Sequence, residues 1–161
     1  MKTCVFAGTF DPITNGHVYV INKCLESFDK VVIAVGENHD KSPVFSLGER
    51  IEMIKEVFSN NQMVEVKEFN GMLVEFMKEQ NIKINVRGIR DEVDYKYETK
   101  MARYNLDMYP ELTTVFIPTP ADLVHVSSSG VRTIMSYKTK EVDKYVPKVV
   151  AEKIKAKFNK K

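Results

Sequence analysis

With 161 residues, 43% of them hydrophobic and 29% charged, the chain has the size and composition of one globular domain with a full core, not of a disordered or fibrous protein. Its formal charge of +2 gives no ground for a nucleic-acid or membrane-surface partner, and no apolar run approaches the ~20 residues of a membrane span. Cys4 and Cys24 lie in apolar stretches without metal-ligand spacing and read as reduced core thiols; Met1-Lys2-Thr3 enters the first strand directly, without a secretory signal, so a cytoplasmic protein is expected.

In chain order, Cys4-Val5-Phe6-Ala7 reads as a buried first strand that breaks at Gly8 and re-enters as a helix over 18–25. Residues 30–35 form a β-branched second strand ending at Gly36, followed by a loop over 37–45. Ser46 with Glu49 is a capping box, opening a helix with Leu47, Ile51, Ile54, Val57 and Phe58 on one face. Residues 64–69 alternate, which predicts a third strand near a sheet edge, and Leu73, Phe76 and Met77 mark a third helix. Residues 82–86 are the fourth strand, with 87–91 as its exit loop. A long helix over 94–108 is stopped by Pro110, and 113–117 is the fifth strand. Ser127-Ser128-Ser129-Gly130 supplies N-cap chemistry for a helix through Val131, Ile134 and Met135. Pro147 opens the last helix, whose lysine-rich side reads as a solvated face. This alternation predicts an α/β protein: a five-stranded parallel sheet with helices on both faces, in a single domain over 1–161.

In such sheets ligands lie beyond the carboxyl ends of the strands. The loops expected there carry Thr9, Phe10 and His17, then Lys41, then Arg87, Gly88 and Arg90 with Glu98 on the next helix, then Ser127, Ser128, Ser129 and Arg132. Arginines, a lysine, an imidazole, hydroxyls and helix N-termini are phosphate ligands. His17, at the start of the first helix, is placed to act as a cationic or hydrogen-bonding imidazole. No serine has an evident partner base, neither cysteine is in a loop, and no cluster has metal-ligand spacing. Any metal is expected to arrive with a nucleotide, as Mg²⁺ on its phosphates, with no ligand from the protein's side chains. Many cations and no nucleophile suit direct transfer between two bound phosphorylated molecules.

The stretch Gly8-Thr9-Phe10-Asp11-Pro12, followed by Thr14-Asn15-Gly16-His17, is neither a Walker loop nor a dinucleotide fingerprint. It resembles the signature of the nucleotidyltransferase superfamily, in which such a stretch follows the first strand of a Rossmann-like sheet. With Arg87-Gly88-Ile89-Arg90, Tyr97-Glu98, Pro110-Glu111-Leu112, Val115-Phe116, the three serines and Val131-Arg132, the chain resembles the bacterial phosphopantetheine adenylyltransferases nearly end to end. The resemblance implies transfer of an adenylyl group from ATP to 4′-phosphopantetheine with Mg²⁺, giving dephospho-CoA and pyrophosphate. It also implies a homohexamer and coenzyme A as a feedback ligand. It assigns Thr9, Lys41, Leu73 and Arg87 to the phosphopantetheine site. To ATP it assigns Thr9, Phe10, His17, Gly88, Ile89, Arg90, Glu98, Leu123, Val124, His125, Val126, Ser127, Ser128 and Ser129, with His17 stabilising the transition state. The chain departs from the family pattern at Ala7, where proline is usual, and at Leu123, Val124 and His125, where an aromatic residue and a Ser-Phe pair are usual. Two alternatives remain open: a nucleotidyltransferase using CTP or another phosphate acceptor, and a non-catalytic module that senses nucleotide or CoA.

Overall fold

The computed structural model describes residues 1–37, 42–137 and 139–159. Strands β1 (Thr3–Gly8), β2 (Lys30–Gly36), β3 (Val64–Phe69), β4 (Ile84–Ile89) and β5 (Thr113–Pro118) form one parallel sheet ordered β3-β2-β1-β4-β5. β1 pairs with β2 on one side and β4 on the other, so strand order reverses there and a crevice opens beyond the ends of β1 and β4. The apolar runs of β1 and β2 are continuous because both strands are buried on both faces. The alternating β3 lies on an edge, as its pattern predicts.

Period-two alternation sends side chains of one strand into two different cores. Cys4, Phe6, Val31, Ile33 and Val86 pack on one face under helices α1 (Asn15–Ser27), α2 (Leu47–Val57), α5 (Ser128–Tyr137) and α6 (Lys148–Phe158). Val5, Ala7, Val32 and Ala34 pack on the other with Val74, Phe76 and Met77 of α3 (Leu73–Glu79) and with Tyr109 and Leu112. Cys4 and Cys24 are free thiols, fully buried. Among the described residues no helix is long and apolar enough to cross a membrane.

Three local features differ from expectation. β4 continues through Arg87, Gly88 and Ile89, which pair with Phe116, Ile117 and Pro118 of β5, so these residues belong to the strand and not to its exit loop. Arginine interrupts the apolar run in sequence, but in the fold its charge meets a carboxylate. Gly88 fits because a Cβ there would stand 3.1 Å from Val20 of α1. Helix α4 (Glu92–Met108) begins two residues early, capped by the Asp91 carboxylate on the Asp94 N–H. A 3₁₀ stretch, Thr139–Lys144, precedes α6; at six residues it is too short to show a period.

Candidate active site

Beyond β1 the chain turns through Phe10, whose backbone is left-handed at φ 51° and whose ring is buried. That ring meets the His17 imidazole edge to face at 4.9 Å. Thr14 is the N-cap of α1, and the pair forms a capping box of an unusual kind. The Thr14 N–H donates to His17 Nδ1 at 3.0 Å, so imidazole stands where glutamate or glutamine ordinarily does. Nδ1 is therefore an acceptor, and the hydrogen-bond network assigns the proton of the neutral ring to Nε2. Burial, then the neighbouring charges of Arg90 and Arg87, lower the His17 pKa to about 4. The cap holds Nδ1 and leaves Nε2–H as a donor.

His17 lines a cavity of about 300 Å³ with Gly8, Gly16, Arg87, Gly88, Arg90, Glu98, Val126, Ser127 and Ser128 among its walls. The N-termini of α1 and α5 both open onto it. At α5 the Ser127 hydroxyl accepts from the Gly130 N–H at 3.0 Å, and the Ser128 hydroxyl donates to the Pro12 carbonyl at 2.7 Å, which ties the two termini together. Among the described residues the backbone N–H groups of Gly16 and Ser128 have no recorded partner. Two helix N-termini and an Nε2–H converging on one cavity favour an anion.

The two arginines, read in sequence as phosphate ligands, are already engaged. Arg87 makes a bidentate pair with Glu98, Nε to Oε2 and Nη2 to Oε1 at 2.9 Å each, and its Nη1 donates to the Ala7 carbonyl at 2.9 Å. Arg90 pairs with Asp94, whose carboxyl is held below its usual range chiefly by that hydrogen bond. With His17 neutral, these four charged side chains sum to zero. An entering phosphate therefore draws on backbone N–H groups and Nε2–H first, and on guanidinium groups it shares with carboxylates.

Arg87 and Glu98 also wall a second trough of about 300 Å³, lined by Leu73, Asn85, Tyr97, Met101, Ala102 and Asn105 among others. Two cavities thus meet at one ion pair. Of the residues singled out in sequence, His17, Arg87, Gly88, Arg90, Glu98, Val126, Ser127 and Ser128 line the first, and Leu73, Arg87 and Glu98 the second. Thr9, Phe10, Ile89, Leu123, Val124, His125 and Ser129 line neither. Thr9 turns its carbonyl to Arg50, Ile89 closes β4, and the His125 ring packs on Tyr145 with centroids 6.1 Å apart. Lys41 lies outside the described residues.

Sequence reasoning passed over Arg50. It sits on α2, 1% exposed, and donates to three backbone carbonyls: Thr9 at 2.7 Å, Gly36 at 2.9 Å and Phe45 at 3.2 Å. Beside it the buried Asp11 carboxylate accepts from the N–H groups of Val44 and Phe45, both at 2.9 Å, and the Asp11 carbonyl accepts from Arg132. These residues build the floor of the β1 loop. Asp94 was also passed over, although its four-residue spacing from Arg90 was a usable signal.

A family model described as cytidylyltransferase-like matches residues 5–134. The phosphopantetheine adenylyltransferase of Clostridium botulinum (strain 657 / Type Ba4) is 42% identical over 161 residues, covering 100% of this chain and 98% of that one. That of Alkaliphilus metalliredigens (strain QYMF) is 36% identical over 152 residues, covering 94% and 96%. The fold resembles that of Plasmodium falciparum nicotinic acid mononucleotide adenylyltransferase complexed with NaAD, with a TM-score of 0.66 at 20% identity over 99% of this chain and 97% of that one. A Rossmann-like sheet with its site at the β1–β4 crevice, matched by relatives over its full length, places the chain in the phosphopantetheine adenylyltransferase family of cytidylyltransferase-like nucleotidyltransferases.

Proposed function

We propose that this protein transfers an adenylyl group from ATP to 4′-phosphopantetheine, releasing pyrophosphate and forming dephospho-CoA. The observation that carries this reading is the pair of cavities joined at Arg87 and Glu98, with His17 Nε2–H in the first. One cavity suits a nucleotide triphosphate under two helix N-termini; the more apolar-walled trough suits an acceptor with an extended chain. A phosphate oxygen of the acceptor attacks the α-phosphorus of ATP, and the bond to the pyrophosphate oxygen breaks. The attacking group is already an anion, so no general base is needed.

His17 donates from Nε2 to a non-bridging oxygen of the phosphorus under attack, a contact worth ~3 kcal/mol in the transition state. Its depressed pKa keeps it a neutral donor at pH 7. Arg87 and Lys41 bind the acceptor's phosphate, with Leu73 and Thr9 along its path. Gly88 to Arg90, Phe10, Glu98 and the segment 123–129 surround ATP, in part through backbone groups. Bound on the ATP phosphates, Mg²⁺ would supply charge neutralisation there. Coenzyme A, sharing the acceptor's chain, competes for the same trough.

Helix α4 has no buried residue and exposes Val93, Tyr95, Tyr97, Tyr104 and Leu106 around its circumference, which supports assembly through this helix into the homohexamer. Two unbridged buried thiols suit a reducing compartment, the cytoplasm.

Lys41→Ala is expected to raise KM for 4′-phosphopantetheine at least tenfold while KM for ATP moves less than threefold. Steady-state kinetics with each substrate varied decides it; equal shifts in both constants remove Lys41 from the acceptor site. A panel pairing ATP or CTP with 4′-phosphopantetheine, nicotinate mononucleotide or glycerol phosphate tests the specificity. Only the first nucleotide with the first acceptor should turn over efficiently, and preference for any other pair overturns the reading.

A further inference from the structure

Asn85 is a carboxamide in the middle of a core strand. It lies on β4 between Val5 of β1 and Thr114 of β5, positions where an apolar β-branched residue would serve the sheet better. It is 2% exposed, and its Oδ1 has no hydrogen-bond partner among the described residues. Leaving a buried acceptor unpaired is costly, and such groups are rare in folded proteins. Asn85 is two residues from Arg87, so both side chains stand on the same face of the sheet, and both line the second trough. The walls above it include Leu73, Tyr97, Met101 and Ala102. A largely apolar trough with an unsatisfied carboxamide on its floor, and Asn105 and Thr114 also in its lining, is the pattern of a ligand site that orients a chain by a few polar contacts.

We propose that Asn85 is a specificity-determining residue of the acceptor site, its carboxamide turned into the trough and hydrogen-bonding an amide of the acceptor's chain. This rests on the reading of the trough as the phosphopantetheine site. Arg87 at the mouth then takes the phosphate end and Asn85 registers the chain beyond it. A site built to hydrogen-bond a substrate amide discriminates strongly, because a mismatched chain leaves both partners unpaired.

The test uses Asn85→Leu, nearly isosteric, and Asn85→Thr, which restores an acceptor oxygen, with calorimetric titration of 4′-phosphopantetheine and of ATP and a thermal melt of each protein. Asn85→Leu should weaken 4′-phosphopantetheine binding about tenfold, leave ATP binding within twofold, and melt no lower than the wild type. Asn85→Thr should bind the acceptor at least threefold more tightly than the leucine variant. Acceptor binding by Asn85→Leu within twofold of wild type, an equal loss of ATP binding, or no recovery with threonine overturns the role of Asn85 alone. Wild-type protein that binds no 4′-phosphopantetheine overturns the adenylyl-transfer reading and this inference together.

Discussion

His17→Ala is expected to lower kcat about 100-fold, the scale of losing one preorganised donor to a developing oxyanion, while KM for ATP changes little. The expectation follows from tautomer and place. Nδ1 is held by the Thr14 N–H, so the proton sits on Nε2. The pKa of about 4 keeps the ring neutral through the physiological range. ¹⁵N NMR of the His17 ring should therefore show no titration between pH 6 and 8 and the Nε2–H tautomer at pH 7. Near-normal turnover in the alanine variant, or an imidazolium at pH 7, contradicts the role. Stability carries the same signature. Between the ordinary value of 6.5 and about 4 the unfolded chain binds a proton at this site that the folded chain does not. The contribution is therefore complete above pH 6.5 and is lost as pH falls through that window. His17→Ala should remove that part of the acid sensitivity while also losing the cap.

The second large effect is structural. Arg50→Met is expected to destabilise the fold by about 3 kcal/mol or more, because three buried carbonyls lose their donor and each orphaned group costs about 1–3 kcal/mol. For a chain of this length that is roughly a 10 °C drop in Tm. Arg50 ties Thr9, which lies along the proposed acceptor path, to Gly36 and Phe45. Loss of that tie should accordingly raise KM for the acceptor in the fraction that remains folded. Arg50→Lys, with one compact ammonium in place of a planar fork, should not restore three bonds at once. A melt within 2 °C of wild type and an unchanged acceptor KM contradict this account of Arg50.

What could be read from the sequence, and what could not, follows from the range of the interactions involved. The continuous apolar runs of β1 and β2 and the alternation of β3 are local signals, and each strand lies where its pattern puts it. The Ser46–Glu49 capping box is equally local and is formed in the fold. β4 was cut short because Arg87 interrupts its apolar run, and only the carboxylate of Glu98, one helix away, explains why a strand accepts that arginine. The Thr14–His17 cap was hidden by residue type, since imidazole is not the usual partner at that position. Arg50 was out of reach for a stronger reason. An arginine on an amphipathic helix reads as solvated, and its three carbonyls come from three segments that are distant in the chain. The arginines, serines and His17 that line the cavity were legible in sequence. The pairing of its arginines with Glu98 and Asp94, which leaves the cavity nearly neutral, was not.

The most direct measurement of the central claim is pyrophosphate release from ATP and Mg²⁺ by the purified protein, with and without 4′-phosphopantetheine. The account predicts release only when the acceptor is present, with dephospho-CoA formed in equal amount. Release without the acceptor, or silence with it while ATP still binds, would contradict it.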